Sequence, residues 1–123
     1  MDLVRNLLLT IESHQNLTGN QLIQYGDQED LGITDYSRDQ VIYHIRMLID
    51  ESMIQGEMVY GGPIISKLTW QGHDFLDSIR DPEIWQKTKD GVKNAGGFSM
   101  DLLGDLAKGL IKKKIEEHTG VQL

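Results

Sequence analysis

A chain of 123 residues, 39% hydrophobic and 25% charged, has the size and make-up of one globular domain with room for an appendage. Its net charge of −7 argues against a broad nucleic-acid surface, since non-specific affinity for phosphates comes from lysine and arginine. The absence of cysteine excludes a disulfide framework and thiolate chemistry, and no apolar run approaches the roughly 20 residues of a membrane span.

Asp2–His14 is predicted to be a helix, with Leu3, Leu7, Leu8 and Ile11 on one face and Val4 beside them. Asp2 precedes these residues and polar residues interrupt them, so the segment does not read as a signal peptide. A soluble cytoplasmic protein with no membrane partner is expected. In residues 15–35, Asn16, Gly19 and Asn20 are turn formers, and Leu22, Ile23 and Tyr25 suit a short strand or one helical turn. Gly26–Asp30 reads as an acidic loop, after which Leu31 and Ile33 anchor the chain again. Asp27, Glu29 and Asp30 invite a calcium reading, but they lack the regular spacing and distal glutamate of a helix-loop-helix site. No metal is expected.

Ser37 is a good N-cap for a helix reaching Glu51, with Val41, Ile45, Leu48 and Ile49 as its apolar stripe. Gln55–Tyr60 and Ile64–Thr69 alternate as strands, and Gly61, Gly62 and Pro63 form the turn between them. Thr69 can cap the next helix, in which Phe75, Leu76 and Ile79 recur at helical spacing. Asp81 and Pro82 end it and start another, because proline suits a first helical turn but not a helix interior. Trp70 and Trp85 bracket this stretch and are expected to staple it to the core.

Gly91, Gly96 and Gly97, with Asn94 among them, suggest a hinge at 91–98. Ser99 can then cap a last helix over 99–118, whose wide apolar stripe must pack on the domain or on a second chain. Leu103, Leu106, Leu110 and Ile111 are the candidate contacts for a homodimer. The charge is uneven along the chain. Residues 1–35 hold one arginine against six carboxylates, and residues 91–123 hold five lysines against four.

Helix, connection, hairpin with a Gly-Gly tip and further helix is the order of a winged helix, with Ser37–Glu51 in the place of the recognition helix. The expected fold is therefore α+β: a winged helix-turn-helix-like domain over about 1–90 with an extra C-terminal helix. Its core should be Leu7, Leu8, Ile11, Val41, Ile45, Leu48, Ile54, Leu68, Trp70, Phe75, Leu76 and Ile79.

The segments YHIRMLIDESMIQG at 43–56 and LTWQGHDFLDSIRDPEIWQKTK at 68–89 resemble a bacterial and phage family, domain of unknown function 2513. They are also distantly similar to YjcQ-type winged-helix proteins. DLVRNLLLTIE at 2–12 and KGLIKKK at 108–114 fit the same resemblance. It implies a winged-helix-like fold in small, often phage-associated proteins, and carries no catalytic residues to this sequence.

His73, Asp74 and Asp77 could begin a metal or general-base site, yet carboxylates in the first turns of a helix are favoured there by its dipole alone. His44 suits a satisfied, half-buried role. No Gly-x-Ser-x-Gly elbow or phosphate-cradling glycine–lysine loop occurs, so neither an enzyme nor a cofactor is expected.

A winged helix invites duplex DNA. Arg38, Gln40, Tyr43, His44 and Arg46 on the central helix and Lys67 on the wing are the candidate contacts, since arginine and glutamine read base edges bidentately. The helix also carries Asp39, Asp50 and Glu51, and so bears net negative charge. A DNA-associated or regulatory role is the leading expectation. A protein-interaction module on the same scaffold is the alternative.

Overall fold

The computed structural model describes residues 2–14, 23–25, 31–95 and 99–122. Asn16, Gly19, Asn20, Leu22 and the acidic residues Asp27, Glu29 and Asp30 lie outside them. The fold is α+β. The chain divides into two compact units, 1–74 and 75–123.

The first unit opens with helix α1, Asp2–His14, which buries Leu3, Val4, Leu7, Leu8 and Ile11. Asp2 in the first turn and His14 in the last suit the helix dipole, and His14 Nδ1 lies 2.8 Å from the Thr10 carbonyl oxygen. Strand β1, Ile23–Gln24, follows, so this segment is a strand and not a helical turn. Tyr25 after it is fully buried, and its N–H donates to the Pro63 carbonyl at 2.9 Å.

Helix α2, Arg38–Asp50, turns Val41, Ile45 and Leu48 inward. It packs on α1 and on strand β2, Ile54–Glu57, while α1 also packs on strand β3, Ile64–Leu68. α2 ends where the chain enters a left-handed turn at Ser52, φ +60°. Ser52 N–H then donates to Ile49 O at 3.0 Å and Met53 N–H to Leu48 O at 2.9 Å, which satisfies the last helical carbonyls.

The sheet has the order β1-β3-β2 and is antiparallel throughout. Ile54 pairs with Leu68 and Glu57 with Ile64, with an irregularity between Gln55 and Gly56. The hairpin turns through Gly61 and Gly62, both at positive φ, as the Gly-Gly tip demands. This arrangement is consistent with a winged-helix-like layout. The strands are shorter than the sequence suggests, because Met58–Tyr60 leave the ladder before the tip.

Helix α3, Trp70–Ile79, begins at Thr69. The Thr69 Oγ1 accepts from Gly72 N–H at 3.0 Å and donates to the Ser52 carbonyl. Trp70 is 87% exposed and is not part of the core. At about 100° per residue, Gly72, Phe75, Leu76 and Ile79 share one side of α3 and Trp70 lies on the opposite side. The other eleven residues expected in the core are buried.

The second unit continues from Phe75 into helix α4, Pro82–Ala95, and helix α5, Met100–Thr119, capped by Ser99 Oγ accepting from Leu102 N–H at 3.1 Å. α4 packs on α5. Ile84, Trp85, Thr88 and Val92 of α4, and Leu103, Gly104 and Ala107 of α5, are buried. Residues 91–95 are helical, where the sequence suggests a hinge. Gly91 lies against Leu106, whose side chain fills the space that a Cβ would need. Gly96 and Gly97 lie outside the described residues. Among the described residues no helix is long and apolar enough to cross a membrane.

Candidate functional site

The residues singled out on the central helix are positioned by its N-terminal cap. Ser37 Oγ accepts from Gln40 N–H at 3.2 Å while Gln40 Oε1 accepts from Ser37 N–H at 2.9 Å, a reciprocal capping box. Gln40 is exposed, but its side-chain oxygen is committed to this cap and not held out toward a ligand.

His44 is half-buried, and its Nδ1 lies 2.7 Å from the Gln40 carbonyl. A carbonyl only accepts, so Nδ1 carries the proton and Nε2 is left as the acceptor in the neutral ring. The Tyr43 and His44 rings meet edge to face, with centroids 5.7 Å apart.

Opposite the buried stripe, α2 exposes Asp39, Tyr43, Arg46 and Asp50. By helical geometry these four lie within about half a turn of one another, so Arg46 shares its face with two carboxylates. Arg38 is exposed at the start of the helix, and Lys67 is exposed on β3 across from Gln55. The unit also exposes aromatic and apolar side chains. Tyr60 stands fully out at the hairpin tip, with Met58 before it, Tyr43 on α2 and Trp70 at the start of α3.

Charge divides unequally between the units. The first holds four cations, Arg5, Arg38, Arg46 and Lys67, against eleven carboxylates, so it carries the chain's entire net charge of −7. The second holds eight cations against eight carboxylates.

His73 is half-buried with Nδ1 3.9 Å from Glu12 Oε2, and Asp77 accepts from Arg80 at 2.9 Å. Among the described residues no three histidine, aspartate or glutamate side chains gather as metal ligands. Of the four residues suggested for self-association, Leu103 is fully buried within its own chain, and Leu106, Leu110 and Ile111 are half-buried. Leu102 and Ile115 are the more exposed apolar residues of α5. Sequence reasoning missed Leu102, Tyr60 and Trp70 as surface residues. The cap at Thr69 sets the phase of α3 and is the signal that could have placed Trp70 outward.

No solved structure matches the chain significantly. An "Uncharacterized protein" of Haemophilus influenzae is 29% identical over 119 residues, covering 93% of this chain and 95% of that one. Residues 1–99 match the family described as "Hypothetical protein (DUF2513)", and the chain belongs to that family.

Proposed function

We propose that this protein is a non-catalytic binding module whose acidic first unit engages a basic protein surface, with Tyr43, Tyr60 and Trp70 as anchors. The charge of the unit carries the reading. A winged helix that holds a duplex must neutralise several phosphates, and here four cations stand among eleven carboxylates. Arg46 shares its face of α2 with Asp39 and Asp50, and the Gln40 side-chain oxygen is spent on a cap. Exposed tyrosine and tryptophan are the side chains that most often anchor protein interfaces, and acidic surroundings steer a basic partner toward them. Gln40 and His44 bond within their own helix, which supports a scaffold over a reacting centre.

Duplex DNA, with a regulatory role, is the reading that the winged-helix-like layout and Arg38, Arg46 and Lys67 invite. It is the outcome that would displace this one. The test pairs fluorescence anisotropy on a labelled mixed-sequence duplex with cross-linking in lysate of the native host. No salt-sensitive binding to the duplex is expected. A protein cross-linked to wild type and lost from a folded Tyr60→Ala/Trp70→Ala variant supports the proposal. Duplex binding that weakens with salt and disappears in Arg46→Ala overturns it.

A further inference from the structure

Helix α5 has two usable faces. Leu103, Gly104 and Ala107 are buried, whereas Asp101, Leu102, Asp105, Gly109, Lys112 and Lys113 are exposed. At about 100° per residue these six fall within roughly a third of the helix circumference.

Two observations say what fits there. The first is the order of charge. Asp101 and Asp105 precede Gly109, and Lys112 and Lys113 follow it. A second α5 laid antiparallel across Gly109 brings Asp105 of each chain opposite Lys113 of the other, with Lys112 beside it, and two-fold symmetry makes every such contact twice. A parallel pairing sets aspartate against aspartate. In the antiparallel register Leu102 lies across from Glu116, which is half-buried in its own chain, and Asp101 across from Glu117, so the attraction rests on Asp105, Lys112 and Lys113.

The second observation is Gly109 itself. A mid-helix glycine weakens a helix relative to alanine, yet a Cβ added there meets no atom within 4 Å. Packing within the chain therefore gives no reason for it. At a helix crossing the missing side chain lets the two axes approach closely.

We propose that the outer face of α5 binds the same face of a second copy of this chain, antiparallel and crossing at Gly109. This face is separate from the one that the sequence suggests through Leu103, Leu106, Leu110 and Ile111, and it is independent of what the first unit binds.

Sedimentation velocity on the full-length chain tests it. Wild type should be a concentration-dependent dimer. Asp105→Lys, and separately Lys112→Glu/Lys113→Glu, should each weaken dimerisation about tenfold or more by setting like charges face to face. Mixing these two variants should restore the dimer. The introduced lysine then faces the introduced glutamates, and the native Asp105 faces the native Lys112 and Lys113. Gly109→Leu, which favours the helix but blocks close approach, should also abolish the dimer, and it decides the matter should a charge variant fail to fold. A monomeric wild type overturns the proposal. So does a dimer that persists in the folded variants, or a mixture that stays monomeric.

Discussion

Lys114 Nζ lies 3.0 Å from Asp81 Oδ2, so a charged pair joins α5 to the residue that opens α4. The other carboxylate oxygen, Oδ1, accepts from Glu83 N–H at 2.8 Å and serves as a helix cap. The Lys114 hydrogen bond, with the cap second, holds the Asp81 carboxyl below the usual carboxylate range. Its hydrogen bond to Asp81, with that residue's charge, raises the Lys114 ammonium. Both side chains are about two-fifths exposed, so salt screens the pair.

The two shifts set opposite arms of a pH profile. Asp81 titrates lower in the folded chain, so its stabilisation is present above the unfolded pKa of about 3.9 and is lost as pH falls through the folded value. Lys114 titrates higher in the folded chain, so its stabilisation is complete below about pH 10.4 and is lost as pH rises beyond it. Thermal melts of Asp81→Asn should show a shallower acid arm than wild type. Asparagine can still accept from Glu83 N–H, so the helix start is kept, while the charge and the acceptor that faces Lys114 are both removed. An identical acid arm in the variant would show that the pair contributes nothing in solution.

The two tryptophans should behave oppositely. Trp85 is 4% exposed, and Lys89 Nζ lies 5.7 Å from its ring centroid. Trp85→Ala should cost about 3–5 kcal/mol in urea unfolding, the range for deleting a large buried aromatic. Trp70 is 87% exposed, and Trp70→Ala should stay within about 0.5 kcal/mol of wild type. The acrylamide-accessible part of the fluorescence should disappear with Trp70 and persist in Trp85→Ala.

Local chemistry made most of the fold legible in the sequence. Ser37, Thr69 and Ser99 announce helix starts by side chains that can accept from free N–H groups, and all three do so. Pro82 opens α4, and Gly61 and Gly62 turn the hairpin. What was lost is phase and competition between partners. Trp70 sits next to the cap, so its direction depends on where the first helical turn begins, which hydrophobicity alone does not fix. The apolar residues of α5 wrap far enough round to leave its inward face ambiguous until packing within its own unit buries Leu103 and Ala107. Gly91 reads as a hinge by composition, yet its missing Cβ is the space that Leu106 occupies. The candidate DNA-reading glutamine, Gln40, is better placed to bond Ser37 three residues earlier than to reach outward.

The cap at Ser37 gives a direct energetic test. Ser37→Ala should destabilise the first unit by about 1 kcal/mol, because it leaves Gln40 N–H without its acceptor. Ser37→Asn should recover most of that loss, since asparagine caps as well as serine does. Both are read from urea midpoints at constant m-value. Failure of the asparagine variant to recover would show that the serine hydroxyl has a role other than the cap.

Two helical glycines should respond to alanine with opposite signs. Gly72 lies on the buried side of α3, where an added Cβ would come within 1.9 Å of the Met53 carbonyl oxygen. That oxygen also accepts from Thr69 N–H at 3.1 Å, so it cannot withdraw without breaking the joint between α3 and the start of β2. Gly72→Ala should therefore cost about 3 kcal/mol, the upper end for overpacking, despite alanine's better helix propensity. Gly109 has open space around its Cα within its own chain, so at dilutions that keep the chain monomeric Gly109→Ala should gain about 0.5–1 kcal/mol from propensity alone. Thermal melts on the two single variants decide it. A Gly72→Ala protein as stable as wild type would mean that α3 does not seat against Met53 as described. A Gly109→Ala protein less stable than wild type at that dilution would mean that a group of its own chain approaches that backbone.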